Sequence, residues 1–234
     1  PGQSWDGSVH DWRQDPAQYA AIHFHDDDLD DAGWETSASL ALPADLPSGV
    51  YAIRLATADD ETWLPFFVRP AAGAPRRPLA VLASTASFMA YGNLRLAVES
   101  PLYEVSEGNG TPVIGRLEAT LAERADLGTS HYDLHRDGSP TMIVSRRRPV
   151  LNFTLKNGLW AFNADTHLTA WLAAIGQDCD VVSDCDLDRE GPAALEGYRC
   201  LVTGAHPEYW STRMWDALVT FQTGGGRLMY LGGN

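Results

Sequence analysis

The stretch Cys200-Leu201-Val202-Thr203-Gly204-Ala205-His206-Pro207-Glu208-Tyr209-Trp210 sets a short apolar strand directly before a loop that carries an imidazole, a carboxylate and a phenol. Downstream, residues 211–222 form an amphipathic segment and Gly224-Gly225-Gly226 breaks it. A second apolar strand, Arg227-Leu228-Met229-Tyr230-Leu231, then runs into Gly232-Gly233-Asn234. A strand, a helix and a strand in this order predict a parallel pair. Ligands gather beyond the carboxyl ends of strands in open parallel sheets, so the loop after Thr203 and the Gly-Gly-Asn stretch share the predicted mouth of a site.

The same alternation extends upstream. Pro78-Leu79-Ala80-Val81-Leu82-Ala83 is an apolar run of the kind buried in parallel sheets, and Ser84 to Asn93 follow it at the ligand-facing end. Leu168, Trp171, Leu172 and Ile175 have helical spacing, with Asp165 or Thr166 as the predicted N-cap and Gly176 as the left-handed stop. Cys179-Asp180-Val181-Val182 is the next strand and ends at Ser183-Asp184. Met214, Ala217, Leu218 and Phe221 repeat the helical stripe behind a Ser211 cap. Residues 78–234 therefore read as an α/β domain with a mostly parallel sheet. Inside it, residues 94–149 carry few regular signals: Gly108-Asn109-Gly110, Asp137-Gly138-Ser139-Pro140 and Arg146-Arg147-Arg148. So long an irregular stretch reads as a lid or partner-binding excursion, with a hairpin as the alternative.

Composition shifts at Pro70-Ala71-Ala72-Gly73-Ala74-Pro75, a linker-like stretch, and the expected boundary follows residue 72. Before it, residues 36–42 alternate small polar and apolar side chains and Pro47-Ser48-Gly49 makes a turn. Val50-Tyr51-Ala52-Ile53-Arg54-Leu55 alternates again, and Trp63-Leu64-Pro65-Phe66-Phe67-Val68 follows the acidic Asp59-Asp60-Glu61. Short strands between turns predict a small β-sandwich-like region over residues 1–72.

Seventeen basic against thirty-one acidic side chains give a net charge of -14, which repels nucleic-acid phosphates and anionic membrane surfaces and excludes both as expected partners. There is no run of eighteen apolar residues, and Pro1-Gly2-Gln3-Ser4-Trp5-Asp6 lacks the basic and apolar regions of a signal peptide. Cys179, Cys185 and Cys200 leave an odd thiol without metal-finger spacing, which points to a reducing compartment, with the cytoplasm as the default.

Within the predicted mouth, His206 and Glu208 are the candidates for proton transfer, and Thr85, Tyr91, Asn93, Asp165, His167 and Asn234 are the candidates for its lining. Each has a plainer reading. Tyr209 beside Trp210 could pack the helix start, His206 could be a loop hydrogen-bonder, and Asp165 and His167 could be capping residues. His23 and His25 share a face of an extended segment and precede Asp26, Asp27 and Asp28, which imitates a metal site; a solvated acidic turn is the expected reading. Ser87 lacks the glycines of a nucleophile elbow. Cysteine catalysis is disfavoured because no Gly-x-Cys-x-Gly turn exists, Cys200 lies inside a strand, and the carboxylates around Cys185 raise a thiol pKa.

Several stretches together resemble one family. Residues 21–35 (Ala-Ile-His-Phe-His-Asp-Asp-Asp-Leu-Asp-Asp-Ala-Gly-Trp-Glu), Ser48-Gly49-Val50-Tyr51 and Pro65-Phe66-Phe67-Val68-Arg69 are similar to the large subunit of N,N-dimethylformamidase. So are Thr85 to Asn93, Ser145-Arg146 with Arg148-Pro149-Val150-Leu151-Asn152, and Ala164-Asp165-Thr166-His167-Leu168 with Trp171-Leu172. Asp180-Val181-Val182-Ser183-Asp184 and Gly204 to Tyr209 complete the set. The family continues for several hundred residues past Asn234, so the chain is expected to be an internal fragment, with its β-rich region incomplete at the N-terminus and its α/β domain truncated at the C-terminus.

The resemblance implies a glutamine-amidotransferase-like α/β domain and iron-dependent hydrolysis of an N,N-dimethylformamide-like substrate to formate and the amine. It implies a mononuclear Fe(III) held by two tyrosines and a glutamate. Tyr209 matches one tyrosine ligand. The second is expected near the start of the Asp165 helix, where His167 stands, and the glutamate after Asn234. A trivalent cation stabilises a phenolate, whose acid otherwise has a pKa of about 10, so hard oxygen donors suit it. A small companion subunit and a homo-oligomer are the implied partners, with a small amide as substrate. The alternative is a noncatalytic ligand-binding or assembly module, since fold does not fix function.

Overall fold

In the computed structural model, residues 2, 4–19, 25–95, 115–155 and 162–233 are described. The strands are β1 (Gly49–Ala56), β2 (Glu61–Val68), β3 (Leu79–Ala83), β4 (Asp180–Ser183), β5 (Cys200–Thr203) and β6 (Arg227–Met229). The helices are α1 (Thr85–Ala90), α2 (Arg116–Glu123), α3 (Phe162–Ala174), α4 (Asp184–Glu190) and α5 (Thr212–Thr223). The fold is mixed α/β: β1 and β2 pair antiparallel, and the other four strands form a parallel sheet in the order β4-β3-β5-β6.

Apolar runs without alternation place β3, β4 and β5 in the middle of the molecule. Val81 lies opposite both Val181 and Val202, and all three are buried. Both faces of these strands are covered, as parallel pairing requires. On one face Leu82, Val182, Leu187, Leu195, Leu201, Met214 and Leu218 form a single core cluster. α5 contributes the buried Met214, Ala217 and Leu218 of its stripe. Ser211 caps it by accepting a hydrogen bond from the Met214 N–H at 3.2 Å. α4 starts in the same way, with the Asp186 N–H donating to Ser183 Oγ at 3.2 Å.

The hairpin packs onto this layer. Ser48 Oγ accepts from the Val181 N–H at 2.8 Å, and Arg69 bridges Asp186 at 2.9 Å and Glu190 at 2.6 Å. Phe67 joins an aromatic cluster with Phe88, Phe153 and Phe162, in which the Phe88 and Phe162 rings meet edge to face at 5.5 Å.

Three expectations are corrected. Residues 36–42 form no strand and are exposed, Leu40 and Leu42 included; their small side chains bury too little apolar area to hold a ladder. Among the described residues before 72, regular β-structure is therefore a two-stranded sheet and not a sandwich. α3 is already helical at Phe162, one turn before the predicted Asp165 cap, and the Phe162 ring lies in the aromatic cluster. Trp171 and Ile175 of its stripe face outward, while Leu172 is buried. Gly176 does take the left-handed conformation, φ 72°, and the Gln177 N–H closes onto Leu172 O at 2.9 Å.

Of residues 94–149, Gly108-Asn109-Gly110 lies outside the described residues. The described part holds the unpredicted α2, a 3-10 turn at Ala125–Leu127 and one antiparallel bridge between Leu134 and Pro140. Its irregular backbone is braced by buried polar side chains. Arg148, 7% exposed, donates to Thr129 O at 2.6 Å, Ser145 O at 3.0 Å and Gly92 O at 3.1 Å. Among the described residues no helix is long and apolar enough to cross a membrane, and the three cysteines are free.

Candidate functional site

In the order β4-β3-β5-β6 the chain leaves β3 toward one side and β5 toward the other, so the topological switch lies between these two strands. A crevice at their carboxyl ends is where such folds bind ligands. α1 and Tyr91 follow β3, and residues 204–210 follow β5, so both flank the switch.

Gly204 is the first requirement. A Cβ there would sit 2.4 Å from the Asp165 carboxylate oxygens, so only glycine lets that carboxylate accept from the Ala205 N–H at 2.6 Å. Burial pushes the Asp165 carboxyl up to about 6, against the opposing pull of the Ala205 bond and of His206. Its Oδ2 is buried and has no hydrogen-bond partner among the described residues.

Past Ala205, the Glu208 N–H donates to Ser87 Oγ of α1 at 3.0 Å and anchors the loop. His206, 6% exposed, places Nε2 2.9 Å from Glu208 Oε2 and 3.2 Å from Tyr91 Oη. The Glu208 carboxylate accepts from Tyr91 Oη at 3.0 Å and from Tyr132 Oη at 3.0 Å. Tyr132 Oη also lies 2.9 Å from Tyr209 Oη. The Tyr91 and Tyr132 rings stack at 4.3 Å, and the His131 ring stacks on Tyr209 at 5.7 Å. Three phenols, a carboxylate and an imidazole thus converge from three separate parts of the chain.

Burial pushes the Tyr91 phenol up to about 12, with the Glu208 carboxylate adding to it. Burial raises Tyr132 and Tyr209 as well, and in Tyr209 the bond with Tyr132 reinforces the shift. The phenols of this structure therefore hold their protons; Tyr91 and Tyr132 donate theirs to Glu208, and Tyr209 meets Tyr132. Only a strong positive charge among them would release those protons at neutral pH.

His206, Glu208, Tyr209 and Tyr91 are brought together, and Asp165 supports the loop from behind. Thr85 Oγ1 bonds Asp184 and lies 2.8 Å from Cys185 Sγ at the start of α4. Asn93, fully buried at 0% exposure, donates from Nδ2 to Leu127 O at 3.0 Å and Pro149 O at 2.8 Å. It braces the irregular segment, with φ 59°. His167 is exposed on α3, and Asn234 lies outside the described residues. The Cys185 thiol is pushed up first by burial and then by Asp184, against Thr85 and Arg146. Tyr132 was not singled out by sequence. It stands in a stretch without periodicity, 77 residues from Tyr209, and its only local signal is the His131-Tyr132 pair between Ser130 and Asp133.

A family model described as N,N-dimethylformamidase beta subunit-like, C-terminal, matches residues 2–234. The N,N-dimethylformamidase beta subunit of Paracoccus aminophilus is 37% identical over 239 residues, covering 100% of this chain and 31% of that protein. A protein of the same name from Alcaligenes sp is 36% identical over the same length, again with 31% of its own length covered. The chain thus spans about a third of the length of these relatives. With the match running through the switch-point loop and the rest of the chain alike, the protein belongs to the N,N-dimethylformamidase beta subunit-like family.

Proposed function

We propose that this chain supplies part of the active site of an iron-dependent amide hydrolase that cleaves an N-substituted formamide, of the N,N-dimethylformamide kind, to formate and the amine. The observation that carries the reading is the meeting of Tyr132 Oη and Tyr209 Oη at 2.9 Å, with Glu208 within 3.0 Å of the former. Metal-oxygen distances of about 2.0–2.1 Å put neighbouring donors about 2.9 Å apart around a small hard cation. Two phenols at that spacing fit an Fe(III) ion, with Tyr209 as one ligand and Tyr132 in place of the tyrosine expected near His167. A carboxylate from beyond Asn234 would complete the set. When bound, the ion supplies Lewis acidity for the amide carbonyl and for water.

The remaining roles belong to this chain. His206 and Glu208 stand 2.9 Å apart and are placed to carry a proton to the departing amine, which must leave protonated. Tyr91, its proton held up to about pH 12, donates to Glu208 and fixes the carboxylate's direction. Asp165 clamps the Ala205 backbone and so positions His206. The parallel sheet suits a glutamine-amidotransferase-like scaffold. Three free thiols suit a reducing, cytoplasmic location. The relatives are named as beta subunits, in keeping with a small companion subunit and an oligomer.

The test is the visible phenolate-to-iron(III) absorption of the full-length protein. Tyr209→Phe is expected to weaken and shift that band, the Tyr132 phenolate remaining, and to lower turnover by roughly a thousandfold, the scale of losing one key electrophilic contact. Full colour and turnover in the variant would refute the ligand assignment.

A further inference from the structure

A second constellation lies among residues 25–28 and 131–139, where the sequence of residues 23–28 imitates a metal site but a solvated acidic turn is the expected reading. Asp26 is exposed as expected, but His25 and Asp27 are half-buried and packed against a segment more than a hundred residues away. His23 lies outside the described residues. The His25 ring stacks on the His135 ring at 3.7 Å with 9° between planes, and the His135 side chain is only 2% exposed.

The two rings aim one nitrogen each at the same carboxylate. His135 Nε2 is 3.6 Å from Asp28 Oδ1, and His25 Nδ1 is 4.0 Å from Asp28 Oδ2. Ligand atoms of the three residues all lie within 4.8 Å of one another. The opposite nitrogens are held from behind. His135 Nδ1 is 2.7 Å from Asp27 Oδ1. His25 Nε2 is 2.7 Å from Ser139 Oγ, which itself donates to Asp137 Oδ1 at 2.6 Å. Histidines that bind metals have this arrangement: one nitrogen faces the ion and the other is fixed by a carboxylate or by a hydroxyl relay to one.

We propose that His25, Asp28 and His135 form a binding site for one divalent transition-metal ion of the zinc class. Two imidazoles and a carboxylate are donors such an ion accepts, with a water in the fourth position. Tetrahedral coordination at about 2.0–2.1 Å separates donors by about 3.3 Å. The 3.6 and 4.0 Å gaps to Asp28 lie close to that spacing, and binding also requires the two stacked rings, now 9° from parallel, to tilt apart so that both ring planes meet at the ion. The site shares no residue with the tyrosine cluster and does not depend on the iron reading. Its consequence is mechanical. The ion would pin residues 25–31 to the segment that carries Tyr132, three residues before His135, next to the existing bridge of Asp31 with Arg147 and the Ala32 N–H to Arg147 O bond of 2.8 Å.

The experiment strips the full-length protein with a chelator and titrates it with Zn(II), and with Co(II) as an optical probe. Wild type and Tyr209→Phe are each expected to bind one zinc-class ion per chain, with visible Co(II) ligand-field bands and a raised melting temperature. His25→Ala and the near-isosteric Asp28→Asn should lose at least about a hundredfold in affinity, and Asp27→Asn about ten- to a hundredfold. Asp28→Asn sits at the surface and should fold, which guards against loss of structure as the explanation. No ion bound by wild type, or binding unchanged in both His25→Ala and Asp28→Asn, overturns the proposal. Loss of zinc binding in Tyr209→Phe with retention in Asp28→Asn would overturn it too, by assigning the ion to the tyrosine cluster.

Discussion

The two layers that meet at the switch-point crevice are held by opposite chemistry. Beneath the sheet, Leu82, Val182, Leu187, Leu195, Leu201 and Leu218 make a dry contact, stabilised by area and indifferent to direction. The layer that presents Tyr132 has little regular structure and is held by buried polar side chains. Asp133 accepts from the Arg95 N–H at 3.0 Å and from the Ser130 N–H at 2.8 Å, Asn93 ties residues 127 and 149, and Arg148 gathers carbonyls from three segments. A backbone without a ladder must satisfy its N–H and C=O groups through side chains, and each such bond is directional. Tyr132 thus depends on a handful of individual hydrogen bonds, Tyr209 on an apolar strand.

The contrast breaks most readily at Arg148. Arg148→Met keeps the length of the side chain and removes its donors, leaving several buried carbonyls unpaired. The expected cost is on the order of 4 kcal/mol in urea unfolding, with faster hydrogen exchange across residues 127–149 than across β3 and β5. A loss under about 1 kcal/mol would mean that water replaces the guanidinium and that the brace is soft. Leu201→Ala is the matching change in the other layer. It should cost about 3 kcal/mol through lost burial and a partly filled cavity, and lower protection evenly. If it loosens residues 127–149 selectively, the two layers are not independent.

The smallest effect sharpens the comparison at the point where the layers touch. Asp165 has its carboxyl raised to about 6 in the fold, against about 4 in an unfolded chain. Below about pH 4 both states hold the proton. As pH rises toward 6 the unfolded chain releases it first, so the native state binds more protons and stability falls, reaching a plateau above 6. The decline should be roughly 2–3 kcal/mol, and Asp165→Asn, which still accepts from the Ala205 N–H, should lack it. Melting curves from pH 4 to 7 on both proteins read the difference, and parallel curves would show that the carboxyl stays hydrated.

What was legible follows this division. β3, β4, β5, the Ser211 cap, the buried face of α5 and the Gly176 stop are written in runs and spacings of neighbouring residues. The position of His206, Glu208 and Tyr209 beyond the end of β5 was legible too, because they follow an apolar strand in a parallel sheet. Elsewhere local pattern misled. Residues 36–42 alternate like a strand but are too small to bury area, and α3 already includes Phe162, whose ring joins an aromatic cluster assembled from distant segments, so that Asp165 lies inside the helix and does not cap it. Tyr132 had no periodic pattern, since the groups that fix its segment are single polar side chains scattered from Asn93 to Arg148.

By itself the sequence determined the strand-loop-helix order, the parallel pairing and the position of the 204–210 loop at the carboxyl end of a parallel strand, because these depend on periodicities within a dozen residues. The tertiary structure alone decided which side chains share that opening. It brought Tyr91 and Tyr132 onto one carboxylate, Tyr209 onto Tyr132, and His25 onto His135, because such meetings depend on how directional hydrogen bonds fold irregular chain across long separations, and no local period records them.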